Sequence, residues 1–245
     1  MIKVLHFFKT YYPETMGGIE QVIFQIAEGG IRHGFESEVL YLSERGAARN
    51  EKVGHHLTHR SKLDLHVAST GFSLSAFKDF AELAKKADIV HYHFPWPYMD
   101  LVHFYSRIKK PAVVSYHSDI VKQKTLLKLY QPLMNRFLSS VDCVVASSPN
   151  YAESSPVLTH FKDKVRVVPY GLDRQTYPKP SAEKLAFWRE RFGRALLFVR
   201  WRSALLQGFG LSTRGSQNNP ATCRHPRWWP PGDRAKDTGQ SVGAV

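Results

Sequence analysis

Short apolar segments rich in β-branched and aromatic residues recur along the first two thirds of the chain, and most lead into a stretch with helical periodicity. The segments are 2–8 (IKVLHFF), 37–42 (SEVLYL), 88–93 (DIVHYH), 112–116 (AVVSY) and 142–146 (DCVVA), with shorter ones at 64–68 and 165–168. Stretches 17–33, 73–86, 99–108 and 122–139, and one beginning at 147, are the helical counterparts. In them apolar residues recur three and four apart, as a helix with one packed face requires. Such alternation is satisfied by a mainly parallel sheet with helices on both faces. The expected fold class is therefore α/β, a doubly wound, Rossmann-like sheet. Segment 44–62 is polar and His-rich, and reads as a loop or an irregular hairpin. Pro95 and Pro97 force a loop after 88–93, and Pro132 is placed to kink the long helix.

In a doubly wound sheet ligands bind beyond the carboxyl ends of the strands. The stretches that fall there are Gly17–Gly18, 91–96, 117–119 and 147–150. Gly17 and Gly18 stand between the loop 9–16 and a helix marked by Ile19, Val22, Ile23 and Ile26. Glycines at a helix start admit a ligand close to the backbone, and the free amides there favour phosphate. A tight turn alone would also use two glycines. Glu20, in the first turn, reads as a partner of the helix dipole. His117 lies just past a buried strand, where it can hydrogen-bond a ligand or stabilise charge. His91 and His93 alternate and so share a face. A metal site needs a third ligand, and the spacing supplies none.

The chain has 245 residues, with 34 Lys and Arg against 21 Asp and Glu. The basic excess suits an anionic partner. It is uneven: 194–245 hold seven Arg and one Lys against two Asp, so the net charge is no argument for nucleic acid. No run of 18 apolar residues exists, and Lys3, His6 and Lys9 interrupt any signal-peptide core. Cys143 and Cys223 form no motif. A reduced, cytoplasmic setting is expected.

Five stretches together carry a family resemblance: FFKTYYPETMGGIEQVI, DIVHYHFPWP, VVSYHSDIV, DCVVASSPNY and KVRVVPYGLD. Over roughly residues 1–193 the chain resembles the N-terminal domain of glycosyltransferase family 4, enzymes of the two-domain GT-B fold. Its flavour is similar to mannosyl- and rhamnosyltransferases of O-chain or exopolysaccharide synthesis. The resemblance implies transfer from a nucleotide-diphosphate sugar with retention of configuration, and no metal or other cofactor. Gly17 and Gly18 match the loop against the donor diphosphate that borders the acceptor pocket. His117 matches the histidine near the transferring centre. His93, Trp96, Asp119, Ser148 and Asn150 are the candidate acceptor-pocket residues. Implied partners are a nucleotide-sugar donor and a saccharide or lipid-linked acceptor, with no nucleic acid. Lys122, Lys124, Lys128 and Arg136 share a helix with Leu126, Leu127, Leu129, Leu133 and Phe137. An ordinary surface helix with a core face explains this pattern first. A peripheral contact with the inner membrane is the alternative.

The resemblance divides the chain into a domain at 1–173, a linker with a short helix at 174–193, and a tail at 194–245. LLFV at 196–199 fits the first strand of a donor-binding domain. The rest lacks Glu and any strand–helix alternation, holds three of the five Trp, and is rich in Arg, Pro, Gly and Ser. Such a segment cannot easily build a core. RSALLQG at 202–208, shifted by one base with suitable codons, reads ALRYYKG, the Lys-Gly opening expected of that domain. An irregular, out-of-frame tail after about Val199 is therefore expected, and with it little or no activity of the chain alone. In the family the second domain holds most of the donor. A non-catalytic sugar- or lipid-binding module and a nucleic-acid binder acting through the basic tail are the competing readings.

Overall fold

The computed structural model describes residues 1–67, 70–120, 124–171 and 181–192. Lys122, residues 174–180 and 193 of the linker, and the whole tail lie outside the described residues, and so do the expectations placed on them.

The chain opens with β1 (Ile2–Phe7), α1 (Gly18–Ile31) and β2 (Phe35–Ser43). A hairpin of β3 (Ala48–Val53) and β4 (His56–Lys62) follows, then a small one of β5 (Leu65–Val67) and β6 (Thr70–Phe72). After these come α2 (Leu74–Lys86), β7 (Ile89–Phe94), α3 (Pro97–Ser106), β8 (Ala112–Tyr116) and α4 (Lys124–Ser140). The described part ends with β9 (Cys143–Ala146), α5 (Pro149–Ser154), α6 (Pro156–His160), β10 (Val165–Val167) and α7 (Ala182–Phe192). Eight strands form one sheet in the order β10-β9-β8-β7-β1-β2-β4-β3. Every pairing in it is parallel except β3 with β4. The strand order reverses at β1, between β2 and β7, as the doubly wound expectation requires.

The hairpin settles segment 44–62. Its β3–β4 pairing is antiparallel with a register shift between Ala48 and Glu51, and Gly54 turns the chain at a φ of 60° that favours glycine. β4 then joins β2 in parallel, so the polar segment extends the sheet rather than leaving it. Pro97 also differs from expectation. It is the first residue of α3 rather than part of a loop, because the first turn has no use for the missing N–H. Pro149 and Pro156 open α5 and α6 in the same way, each behind a serine cap. Pro132 stays inside α4.

The strand period of two divides the core. Leu5, Phe7, Leu40, Leu42, Val90, Tyr92, Phe94, Val114 and Tyr116 point to one face, where α2, α3 and α4 cover them with Phe80, Met99, Val102 and Phe137. On the opposite face Phe8, Val39 and Tyr41 pack with Tyr11 and with Ile23 of α1. That second face changes character towards β7 and β8. There the alternation presents His6, His91, His93, Ser115 and His117, a polar strip running through the middle of the sheet.

In α4, Met134, Phe137 and Leu138 are buried, and Arg136 lies over the Phe104 ring at 4.8 Å. Leu133 is half-buried. These residues give α4 an ordinary core face. Leu126 and Leu129, at its start, stay exposed at 49% and 80%. Among the described residues no helix is long and apolar enough to cross a membrane.

Candidate functional site

The carboxyl ends of β1, β7 and β8 carry the site. Gly17 is the N-cap of α1, in extended backbone and with no side-chain cap. A Cβ on Gly17 would meet the Glu20 carboxylate at 2.2 Å, whereas one on Gly18 would meet nothing within 4 Å. The two glycines therefore differ. Gly17 makes room for Glu20, and Gly18 leaves the helix start open to approach from outside.

Glu20 is buried, accepts a hydrogen bond from Thr10 Oγ1 at 2.8 Å, and lies near Lys9. It supplies negative charge at the positive end of α1, as a dipole partner should. Burial lowers the Lys9 pKa, and Glu20 pulls the other way. The loop holding these groups is tied down at Tyr11, whose hydroxyl pairs with His56 Nε2 at 3.0 Å. His56 Nδ1 in turn pairs with Glu28 at 2.7 Å.

The histidine strip is bonded diagonally. His6 pairs in register with His91, and His93 with Ser115. The hydrogen bonds instead step two residues on at each strand: His6 Nδ1 to His93 Nε2 at 3.2 Å, and His93 Nδ1 to His117 Nε2 at 3.1 Å. Strand twist brings such diagonal neighbours together. His117 Nδ1 then meets the Tyr170 hydroxyl at 2.6 Å, beyond β10. His91 stands beside this chain, bonded to Ser115 Oγ at 2.8 Å. Burial is the first cause of lowered pKa throughout: about 4 for His91, about 3 for His117, and well below 6.5 for His6 and His93. All four are neutral near pH 7. Burial raises the Tyr170 phenol to about 12.

The spacing argument found no third partner for His91 and His93 because the partner is on another strand. His6, His91 and His93 each offer a nitrogen within 4.8 Å of the others. His6 Nε2 is buried without a hydrogen-bond partner. Both nitrogens of His93 are already hydrogen-bonded, to His6 and to His117, so an ion at this trio would have to displace one of those bonds.

The other candidates separate. His93 is fully buried and reaches the cleft only through His117. Trp96 belongs to the core: it is 1% exposed, packs on Phe7 and Tyr98, and donates from Nε1 to the Gly71 carbonyl. Buried in this way, it presents no wall to an acceptor pocket. Asp119 is consumed in structure, accepting from the hydroxyls of Tyr116, Ser155 and Tyr151 at 2.9, 2.8 and 3.3 Å. It clamps the loop after β8 to α5 and α6. The Ser148 hydroxyl caps α5, accepting from the Tyr151 amide. Asn150 alone of this group is exposed and unoccupied by such a task. Lys9, His6 and Tyr170 also lie at this edge, and sequence reasoning left them without a role there. The HxH repeat at 91–93 hinted at the strip, but its register with His6 needed the strand order.

Concave surfaces do form elsewhere, one between α4 and α6 lined by Gln131, Asn135, Val157 and Phe161, another below β2 lined by Met1, Ile31, Phe35 and His55.

Similarity to known proteins follows the same outline. The chain is 57% identical over 199 residues to the D-rhamnosyltransferase WbpZ of Pseudomonas aeruginosa. It is 48% identical over 195 residues to the O-antigen chain mannosyltransferase C of Escherichia coli. These alignments take in 81% and 78% of the chain but 52% of each relative, so the chain spans about half the length of the curated relatives it matches. Among solved structures, the sucrose-phosphate synthase of Thermosynechococcus elongatus superposes with a TM-score of 0.51 at 15% identity, over 80% of this chain and 53% of its own. Trehalose-6-phosphate synthase OtsA gives 0.52 at 12%, over 77% and 55%. These structural likenesses show the fold, a Rossmann-like half of a GT-B architecture. Residues 16–176 match the profile of Glycosyltransferase Family 4, and by that match, with its fold and its two close relatives, the chain belongs to glycosyltransferase family 4.

Proposed function

We propose that the chain is the acceptor-side half of a hexosyltransferase of cell-surface polysaccharide synthesis, using a nucleotide-diphosphate sugar and retaining its configuration. The observation that carries this reading is the pairing of an open helix start at Gly18 with His117, on one sheet edge, in a chain 57% identical to a D-rhamnosyltransferase. Gly17 and Gly18 would face the diphosphate at the positive end of α1. His117, neutral and bonded at both nitrogens, would contribute a fixed hydrogen bond near the transferring centre. The strip holds no carboxylate placed as a nucleophile among the described residues. The reading therefore takes a front-face displacement, in which the departing phosphate accepts the acceptor's proton and the protein positions the partners and stabilises charge. It requires no metal. The acceptor is a saccharide or lipid-linked saccharide, and a peripheral membrane contact would use Leu126 and Leu129, the exposed apolar pair of α4.

Residues 194–245 are read as an out-of-frame tail, which leaves the donor wall absent and this polypeptide with little activity alone. The length of the alignments, 199 and 195 residues, supports that reading. The test is to mix the purified chain with the separately produced C-terminal half of the Pseudomonas relative and assay sugar transfer. Transfer by the mixture and none by either part is the expected result. Robust transfer by the 245-residue chain alone overturns the half-enzyme reading. No transfer by two folded halves favours a non-catalytic binding module.

A further inference from the structure

We infer that His93 and His6 are positioning residues: through an unbroken head-to-tail imidazole chain they hold His117 as the tautomer with its proton on Nδ1, aimed at the cleft. Three observations carry this. The first is connectivity. From Tyr170 inward, each ring is entered at Nδ1 and left at Nε2: His117 Nδ1 at Tyr170, His117 Nε2 at His93 Nδ1, and His93 Nε2 at His6 Nδ1.

The second is alignment. The His93–His117 and His6–His93 centroids are 5.3 and 5.5 Å apart with ring planes within 17° and 24°. These separations exceed the N···N distances of 3.1 and 3.2 Å by only the two ring radii. The rings therefore meet edge to edge in line, as hydrogen bonding requires. His91, at 4.5 Å from His93, stacks on the chain without joining it.

The third is the inner end. His6 Nε2 is buried with no partner. A neutral imidazole has one N–H and one lone pair, so a chain of neutral rings has two polarities. If the protons sat on Nε2, the chain would strand an N–H donor in the core, the rarer and costlier defect. If they sit on Nδ1, only a lone pair is left unused. His6 then donates to His93, His93 to His117, and His117 to the Tyr170 oxygen. Tyr170 is 38% exposed, and a substrate oxygen replacing its hydroxyl would find the same donor. His117 is thereby a neutral hydrogen-bond donor rather than a general base.

The inference rests on the reading of His117 as cleft-facing, but its test needs no sugar transfer, so the two can fail separately. Long-range 1H–15N correlation spectra of the full 245-residue chain at pH 7 report each histidine's tautomer. His6, His93 and His117 are expected as neutral Nδ1–H rings. An Nε2–H or cationic signature for any of them overturns the proposal, as does a wild-type spectrum altered by a chelator, which would place an ion between the rings. In His93→Phe the donor to His117 Nε2 is gone, so His117 is expected to keep its proton on Nδ1 while its Nε2 15N resonance moves to that of an unbonded lone pair. An Nε2 resonance unchanged in a folded His93→Phe protein overturns the proposal. His91→Phe, equally central but outside the chain, leaves the His117 tautomer unchanged; a switch there overturns it as well. Should His93→Phe not fold, the wild-type and His91→Phe spectra decide.

Discussion

Gly17 and Glu20 share one space: a Cβ on the glycine would lie 2.2 Å from Oε2 of the glutamate. The backbone at Gly17 is extended, with φ of −112°, so its glycine is needed for room and not for conformation. Gly17→Ala is expected to swing Glu20 off Thr10 at a cost of about 1–2 kcal/mol. Glu20→Ala should absorb most of that cost in the double mutant, a non-additivity readable from urea unfolding. Gly18→Ala faces open space and should leave stability within about 1 kcal/mol of wild type. It is expected to weaken diphosphate binding in the reconstituted enzyme.

Acid should unfold this domain early. His6, His91, His93 and His117 are neutral when folded, with pKa values below the ordinary 6.5, and each takes up a proton on unfolding. Their contribution is fully present above about pH 6.5 and is lost as pH falls, continuing to about 4 for His91 and about 3 for His117. Each group adds a slope of about 1.4 kcal/mol per pH unit in that window. Urea midpoints measured from pH 7.5 to 5 should fall steeply. His91→Phe should flatten the decline by one group's share.

Asp119 is expected to matter for folding whatever its place in transfer. Asp119→Ala strands three hydroxyl donors, of Tyr116, Tyr151 and Ser155, and should cost about 2–3 kcal/mol. Asp119→Asn keeps one acceptor and should cost less. Equilibrium unfolding separates the two.

Trp96→Ala should lose about 3–5 kcal/mol, the range for a large buried aromatic, while Trp96→Phe, which keeps most of the packing but drops the bond to Gly71, should lose less. If saccharide binding changed in Trp96→Phe without any loss of stability, the core assignment would be wrong.

The DNA encoding residues after about 199 should continue a Rossmann-like domain in another frame, beginning near ALRYYKG. Translation of the downstream sequence in all frames checks this, and three frames without such a domain would sink the frameshift reading.

Much of the fold was legible because it is written in local patterns. Strand segments 88–93, 112–116 and 142–146 lie within a residue of β7, β8 and β9, since β-branched runs bounded by polar residues signal buried parallel strands. The hairpin at 48–62 was open because its polar face and shifted register blur the period of two. The site was less legible. Proximity past the ends of strands was predictable from the sheet class, so Gly17, Gly18 and His117 stood out. Burial was not: Trp96 and Asp119 read as pocket residues, but the first packs on Phe7 and Tyr98 and the second accepts from three hydroxyls, contacts that tertiary packing sets.

The sequence by itself determined the family, which five motifs in order carry, and the alternation of elements and the shared face of His91 and His93, which follow from short-range periodicity. Only the tertiary structure decided that His6 stands beside them. That depends on β1 lying between β2 and β7 in the sheet, and on a twist that offsets each contact by two residues. Hydrogen bonds between residues 87 positions apart are set by strand order, which no local pattern encodes.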